Sequence, residues 1–266
     1  MILGEPNIFA YLALFLWVPV TLVLFIRLRP PMATMASILG GVMLLPESIS
    51  IDPPALPPMD KLSVTAFWAF LGCLWKAPDR LREARPFRGL DALFLVVVAG
   101  NVGTALTNSD PLVTGPVVRP GLTLYDAFAH GVKDLLSLYL PFFLARAMLR
   151  TRRDLHDLMR VLVVCGVVYA IFALVEIRMS PQLHNWIYGY HQYDFSMTMR
   201  FGGYRPMIFM LTGLATAMFV LSTTLAAWAR WRAGVGGAAV SLFLTAVLIL
   251  CKSTGAIVYA FAVVPL

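Results

Sequence analysis

Residues 8–26 read IFAYLALFLWVPVTLVLFI, a run without a single charged side chain. A bilayer core about 30 Å thick requires roughly 20 consecutive apolar residues for one helical crossing, so this run predicts a membrane-spanning helix. The run has no basic segment before it and no small-residue cleavage site after it. We therefore expect a retained helix rather than a signal peptide.

Similar runs recur along the whole chain. Its 266 residues are 59% hydrophobic and 13% charged, and the mean hydropathy is +0.79, whereas about a quarter of the residues in a soluble domain are charged. The apolar runs lie near 8–26, 32–46, 62–76, 90–107, 122–145, 159–177, 207–228, 235–251 and 254–266. The sequence predicts an all-α, polytopic transmembrane helix bundle of about nine spans, forming one domain over residues 1–266. It excludes a cytosolic enzyme and a secreted disulfide scaffold.

Positive charge is concentrated in every second connection between these runs. The first, third, fifth and seventh connections together hold 14 of the 21 Lys and Arg residues: Arg27, Arg29, Lys76, Arg80, Arg82, Arg85, Arg88, Arg146, Arg150, Arg152, Arg153, Arg160, Arg230 and Arg232. Short loops rich in Lys and Arg stay cytoplasmic, so this alternation predicts that the odd connections lie inside and the N-terminus outside. The net charge of +7 therefore reflects topology, and no nucleic-acid partner is expected.

A stripe of polar residues lies in the fifth run. Asp126, His130, Lys133 and Asp134 are spaced i, i+4, i+7 and i+8, which places them on one face of a helix. Charged residues within a span normally face the bundle interior or a wet cavity, so the stripe predicts a polar cavity. The alternative is that residues 122–134 form an amphipathic segment on the outer membrane surface.

The longest outside loop, residues 178–206, carries positive charge on the side where the charge rule disfavours it. Arg200 and Arg205 flank Gly202 and Gly203, and Pro206 suits the first turn of a following helix, whose N-terminus favours an anion. Two guanidinium groups beside a helix N-terminus are suited to bind a phosphate or pyrophosphate. The alternative is that these arginines extend to the membrane surface or pair with Glu176 and Asp194.

The same loop contains His184 and His191, close in sequence to Asp194. Their spacing matches no established metal-binding signature, so no metal site is predicted. Either histidine is a candidate acid or base.

One part of the chain resembles a known family. Arg200-Phe-Gly-Gly-Tyr-Arg-Pro opens an apolar run, and Leu-Ile-Leu-Cys-Lys-Ser-Thr-Gly-Ala follows at 248–256. Residues 200–256 thereby resemble the O-antigen ligase and polymerase superfamily, in the branch found in bacterial exopolysaccharide clusters. The resemblance implies a multi-pass protein of the bacterial inner (plasma) membrane that transfers or polymerises undecaprenyl-pyrophosphate-linked glycans by inversion, without a metal or other cofactor. It also implies that Arg200 contacts the pyrophosphate; charge and position support Arg205 in the same role.

Two departures from the family pattern bear on this resemblance. Members commonly have Ser-Arg-Gly-Ala where this chain has Ser253-Thr254-Gly255-Ala256, and Lys252 could supply the missing charge. Members also have further spans and a large catalytic outer loop, which would follow Leu266. We therefore expect the chain to be the N-terminal part of a larger fold, with its catalytic acid or base unknown.

Two other functions remain open at this stage. A proton-coupled transporter or a lipid-linked glycan flippase would use the polar stripe of the fifth run as an ion path. A non-catalytic membrane component would organise other polysaccharide assembly proteins. The expected partners are the undecaprenyl-pyrophosphate-linked glycan, membrane lipids and other polysaccharide assembly proteins.

Overall fold

The computed structural model describes residues 3–52 and 57–263 and is mostly helical. Its helices are α1 (Ile8–Arg27), α2 (Pro30–Leu44), α3 (Lys61–Lys76), α4 (Pro78–Ala84), α5 (Leu93–Thr107), α6 (Leu124–Asp134), α7 (Leu140–Met148), α8 (Arg152–Met179), α9 (Leu183–Tyr188), α10 (Gly213–Arg232), α11 (Ala238–Leu250) and α12 (Thr254–Val263). Short 3₁₀ turns cover Gly89–Ala92 and Phe195–Thr198, and a π turn covers Leu135–Tyr139.

Within the described residues, eight short strands form antiparallel pairs, so the prediction of purely helical structure holds for the bundle but not for its connections. The strands are β1 (Leu3–Gly4), β2 (Ser50–Ile51), β3 (Met59–Asp60), β4 (Leu112–Thr114), β5 (Val117–Arg119), β6 (Tyr190–His191), β7 (Met199–Arg200) and β8 (Gly203–Tyr204). They pair as β1–β6, β2–β3, β4–β5 and β7–β8. The first of these pairs attaches the N-terminal segment to the loop that follows α8.

In the part of the chain that the structure describes, three helical stretches are long and apolar enough to cross a membrane: Ile8–Arg27, Gly89–Thr107 and Arg152–Met179. α2, α11 and α12 are shorter apolar helices. This supports a membrane protein, while the count of about nine spans stays a prediction. The last three residues of the ninth predicted run lie outside the described residues.

The helix boundaries follow from local chemistry. α8 begins with a capping box, in which the Thr151 side chain accepts from the Asp154 amide and Asp154 accepts from the Thr151 amide. At about 1.5 Å per residue its 28 residues extend about 42 Å, longer than a bilayer core. Between α6 and α7 the helix continues through the π turn, which ends two residues before Pro141. Such a turn suits this position because proline cannot donate its backbone hydrogen bond.

The seventh predicted run, 207–228, differs from the structure at its start. α10 begins only at Gly213, with Thr212 as its N-cap, so the prediction that Pro206 opens the helix is wrong. Ile208 has a left-handed φ of 56°, which interrupts a helix at this point. Side chains from distant elements bind the backbone of residues 207–209 in this non-helical conformation.

The connections separate into two groups at opposite ends of the bundle. At one end, ion pairs join the first, third and fifth connections and the first turns of α8: Arg29–Asp157, Arg80–Asp154, Arg150–Glu83 and Arg146–Asp91. At the other end, Glu47 pairs with Lys61 and Lys133 lies 3.6 Å from Asp60. This segregation is what the alternating charge pattern requires.

Close packing of α8 against α10 depends on a glycine. A Cβ on Gly166 would lie 2.5 Å from Cβ of Thr223, whereas a Cβ on Gly100 in α5 would meet open space. The small residue therefore lets the two helices approach, as in other membrane bundles.

We expect Gly166→Ala to destabilise the protein by about 1–3 kcal/mol because the added methyl group forces α8 and α10 apart. Gly100→Ala, the matched control, should be neutral or slightly stabilising, since it only restricts the unfolded chain. Thermal unfolding in detergent micelles measures both. Equal melting temperatures for the two variants would contradict the packing assignment.

Candidate anion-binding site

A tight hairpin presents the first cation of the site. β7 and β8 pair Arg200 with Gly203, and the turn residues Phe201 and Gly202 both have positive φ, 49° and 67°. Two successive residues with positive φ are typical of the two-residue turns that match strand twist. Arg200 is exposed at this turn, with its guanidinium 5.3 Å from the Phe201 ring centroid.

Arg205 follows the hairpin and is buried, with only 9% of its surface exposed. Its amide donates to the Thr198 carbonyl at 2.7 Å, and its side chain lies over Gly213, where a Cβ would be 2.7 Å from Arg205 Cδ. Within the described residues, Nε and Nη2 of Arg205 have no hydrogen-bond partner. Burial, and then the charge of Arg200, lower the pKa of Arg205.

A third cation comes from the connection between α11 and α12. Lys252 has a φ of 53°, and its ammonium group lies so close to Gly203 that a Cβ there would overlap it. Gly203 therefore pairs with Arg200 in the hairpin and, because it has no side chain, leaves room for the Lys252 ammonium group. The expectation that Lys252 supplies the charge missing from the Ser-Thr-Gly-Ala segment stays a prediction.

The three cations converge without acidic partners. Among the ion pairs formed by residues 3–52 and 57–263, none includes Arg200, Arg205 or Lys252. α12 starts two residues after Lys252, and α10 starts at the glycine that Arg205 covers. Helix N-termini carry partial positive charge, so both helices add to the positive potential. The arrangement is suited to an anion with several oxygens.

Glu176 does not neutralise these cations. This carboxylate is 1% exposed; Oε2 accepts from the amides of Met207 and Ile208, both at 2.8 Å, and Oε1 accepts from the Leu183 amide at 3.1 Å. Asp194 accepts from the Ser196 amide at 2.9 Å. The alternative that Arg200 and Arg205 pair with Glu176 and Asp194 is therefore wrong.

Other backbone groups of residues 208–210 also form hydrogen bonds with side chains from distant elements. Lys61 Nζ donates to the Phe209 carbonyl at 2.7 Å, and the Phe209 amide donates to the Tyr169 hydroxyl at 3.2 Å. Gln192 Nε2 donates to the carbonyls of Ile208 and Met210, both at 3.1 Å. The sequence analysis did not predict these hydrogen bonds to the backbone of residues 207–210. An acidic residue in an apolar helix, such as Glu176, does indicate a buried polar contact.

The two histidines of the loop have structural contacts. His184 Nε2 accepts from the Glu47 amide at 3.1 Å, and its Nδ1 lies 3.0 Å from the Tyr190 carbonyl, to which it donates. His191 Nε2 lies 2.8 Å from the Pro181 carbonyl. No group of three His, Cys, Asp or Glu residues in the described part of the chain could hold a metal ion.

The polar stripe of the fifth run does not form a common cluster. Asp126 closes the capping box at Thr123, Lys133 faces Asp60, and His130 is exposed. Asp134 accepts from Asn101 Nδ2 at 2.9 Å. Each side chain thus has its own surroundings on α6.

Comparison of the chain with protein-family models, curated proteins and solved structures finds no match. The resemblance of residues 200–256 to the polymerase and ligase superfamily therefore stays a hypothesis, and the geometry of the site carries the functional argument.

We expect Glu176→Gln to destabilise the protein by about 1–3 kcal/mol, because the amide NH₂ that replaces one carboxylate oxygen leaves buried N–H groups unpaired. Glu5→Gln is the matched control, since Glu5 is exposed. The measurement is thermal unfolding in detergent. Similar melting temperatures for both variants would show that the Glu176 contacts contribute little.

The fold should also lose stability in mild acid through His184. Burial, the main cause, lowers the pKa of His184 from 6.5 to about 4. The unfolded chain therefore takes up a proton as the pH falls below 6.5, whereas the folded chain does so only near pH 4. The contribution of neutral His184 to the free energy of unfolding is fully present above pH 6.5. It should decrease by about 1.4 kcal/mol per pH unit as the pH falls from 6.5 to about 4.

His184→Gln retains one donor and one acceptor but does not titrate. Its melting temperature should therefore fall less than that of the wild type between pH 7.5 and pH 5. Parallel decreases in the two proteins would assign the acid sensitivity to other groups.

Proposed function

We propose that the chain belongs to a membrane glycosyltransferase that transfers or polymerises undecaprenyl-pyrophosphate-linked glycans. The observation that carries this proposal is the convergence of Arg200, Arg205 and Lys252 without an acidic partner among the described residues. Charge-assisted hydrogen bonds from guanidinium and ammonium groups are the usual means of binding phosphate oxygens.

The proposed reaction makes use of these cations. Transfer breaks the bond between the anomeric carbon and a pyrophosphate oxygen, and it joins that carbon to an acceptor hydroxyl oxygen, whose proton passes to a general base. Negative charge develops on the departing pyrophosphate. Positive groups already fixed around this position stabilise the transition state without reorganising.

The proposed membrane arrangement fits this chemistry. We infer about nine spans in a bacterial inner membrane, with the N-terminus outside. Contacts between β1 and β6 place the N-terminal segment on the same face as the cationic loop. The basic connections meet at the opposite face, which the positive-inside rule assigns to the cytoplasm. The anion site would then face the outer side, where lipid-linked glycans are assembled in the family that the sequence resembles.

Farnesyl pyrophosphate, a short isoprenoid pyrophosphate, tests the site directly. Arg205→Gln and Lys252→Met should each weaken its binding to the purified protein by about 10–100-fold, the loss expected for one hydrogen bond to a charged group. Arg178→Gln, an exposed arginine next to the same loop, should bind as the wild type does. Isothermal titration in detergent gives the affinities.

Farnesol and farnesyl monophosphate complete this experiment. Weaker binding of both than of the pyrophosphate would support recognition of the diphosphate. Equal affinity for all three ligands, or an equal loss in the Arg178 variant, would overturn the proposed site.

A further inference from the structure

A second site lies at the end of the bundle opposite the anion site. An apolar groove of about 470 Å³ runs between α3 and the helix that continues from the π turn into α7. Phe67, Phe70 and Leu74 form one wall, Leu136 and Leu140 form the other, and Arg82 lies at the rim. The groove is thus apolar inside and cationic at one end.

The connection after α4 shapes this end of the groove at a cost in backbone strain. Arg85 and Phe87 have left-handed φ values of 46° and 57°, and non-glycine residues keep such conformations only when their surroundings enforce them. The Phe87 ring stacks on Tyr139 with centroids 4.8 Å apart, and its amide donates to the Tyr139 hydroxyl at 3.0 Å. Tyr139 ends the π turn, and such turns occur frequently at functional sites.

Buried polar contacts fix this wall. The Tyr139 hydroxyl donates to Asp91 Oδ2 at 3.1 Å, and Arg146 Nη2 donates to the same oxygen at 2.7 Å. Phe87 and Leu135 also line a neighbouring apolar cavity of about 400 Å³ that extends along α6. The groove therefore has a hydrogen-bonded wall, a cationic end and an apolar continuation, which suits a lipid with a charged headgroup.

The charged residues at the rim of the groove favour an anionic headgroup. The Arg82 guanidinium lies 3.8 Å from Asp79, but both side chains are more than four-fifths exposed, and such pairs are worth little. Arg85 and Arg88 are exposed nearby, whereas the acidic groups Glu83 and Asp91 already pair with Arg150 and Arg146. Positive charge is thus in excess at the rim.

We propose that this groove binds an anionic glycerophospholipid, with an acyl chain between α3 and the 135–143 helix and the phosphate at Arg82. This site is separate from the cluster around Arg205 and does not depend on the proposed glycosyl transfer. An uncharged lipid would fill the apolar part but would leave the cationic rim unused.

Native mass spectrometry of the full chain, with phosphatidylglycerol and phosphatidylcholine of identical acyl chains, tests the proposal. The wild type should retain phosphatidylglycerol more strongly. Arg82→Gln should weaken phosphatidylglycerol binding about fivefold, equivalent to about 1 kcal/mol for one arginine at a lipid surface. Arg153→Gln, which removes an exposed arginine at the same end, should leave it unchanged.

Leu74→Trp places a larger side chain in the groove at a residue that is 44% exposed, so the fold should tolerate it. It should reduce binding of both lipids, and an unchanged melting temperature verifies folding. Leu136→Trp repeats the test from the opposite wall. Three results would overturn the proposal. The two lipids could be retained equally, or the Arg82 and Arg153 variants could have equal effects. The spectra could also show that a second copy of the chain occupies the groove, as a dimer that is absent from Arg82→Gln.

Discussion

Three backbone amides converge on the buried carboxylate of Glu176, and they fix the segment next to the candidate anion site. The carboxylate lies near the end of α8, the longest described helix, whose start is fixed by the Thr151 capping box. It accepts from the amides of Met207 and Ile208, where the left-handed φ of Ile208 makes the segment after Arg205 non-helical. The buried acid therefore fixes the backbone that follows Arg205.

Four paired arginines at one end of the bundle contrast with the buried Arg205 at the other end. At the end where the odd connections meet, Arg29, Arg80, Arg146 and Arg150 each pair with a carboxylate. At the other end, Arg205 is buried with unpaired guanidinium nitrogens. A buried charge without a partner is strongly unfavourable, so a bound anion would relieve this penalty. The alternation of basic connections accounts for the number of cations at each face. Among the described residues, Arg200, Arg205 and Lys252 have no acidic partner, and this points to a bound anion.

Much of the fold could be predicted because apolar length and charge act locally. The run at 8–26 agrees with α1 to within one residue, and the alternation of basic connections agrees with their segregation in space. Arg200 and Arg205 were identifiable as a pair because only a few residues of a short glycine turn separate them. Lys252 was identifiable only through the family pattern, since its distance along the chain gives no sign that it contacts the hairpin.

The amino-acid sequence by itself determined that the chain contains apolar helices long enough to cross a membrane, since long apolar runs are unfavourable in water. It also determined the alternation of basic connections and the cationic character of the loop after α8. Only the tertiary structure decided where α10 begins, which cations are paired, and that the polar residues of α6 have separate partners. These outcomes depend on contacts between residues far apart in the chain, such as Glu176 with Met207 and Lys61 with Phe209. Local propensity contains no information about such contacts, because it depends only on residues that are neighbours in the chain, whereas Glu176 and Met207 are 31 residues apart.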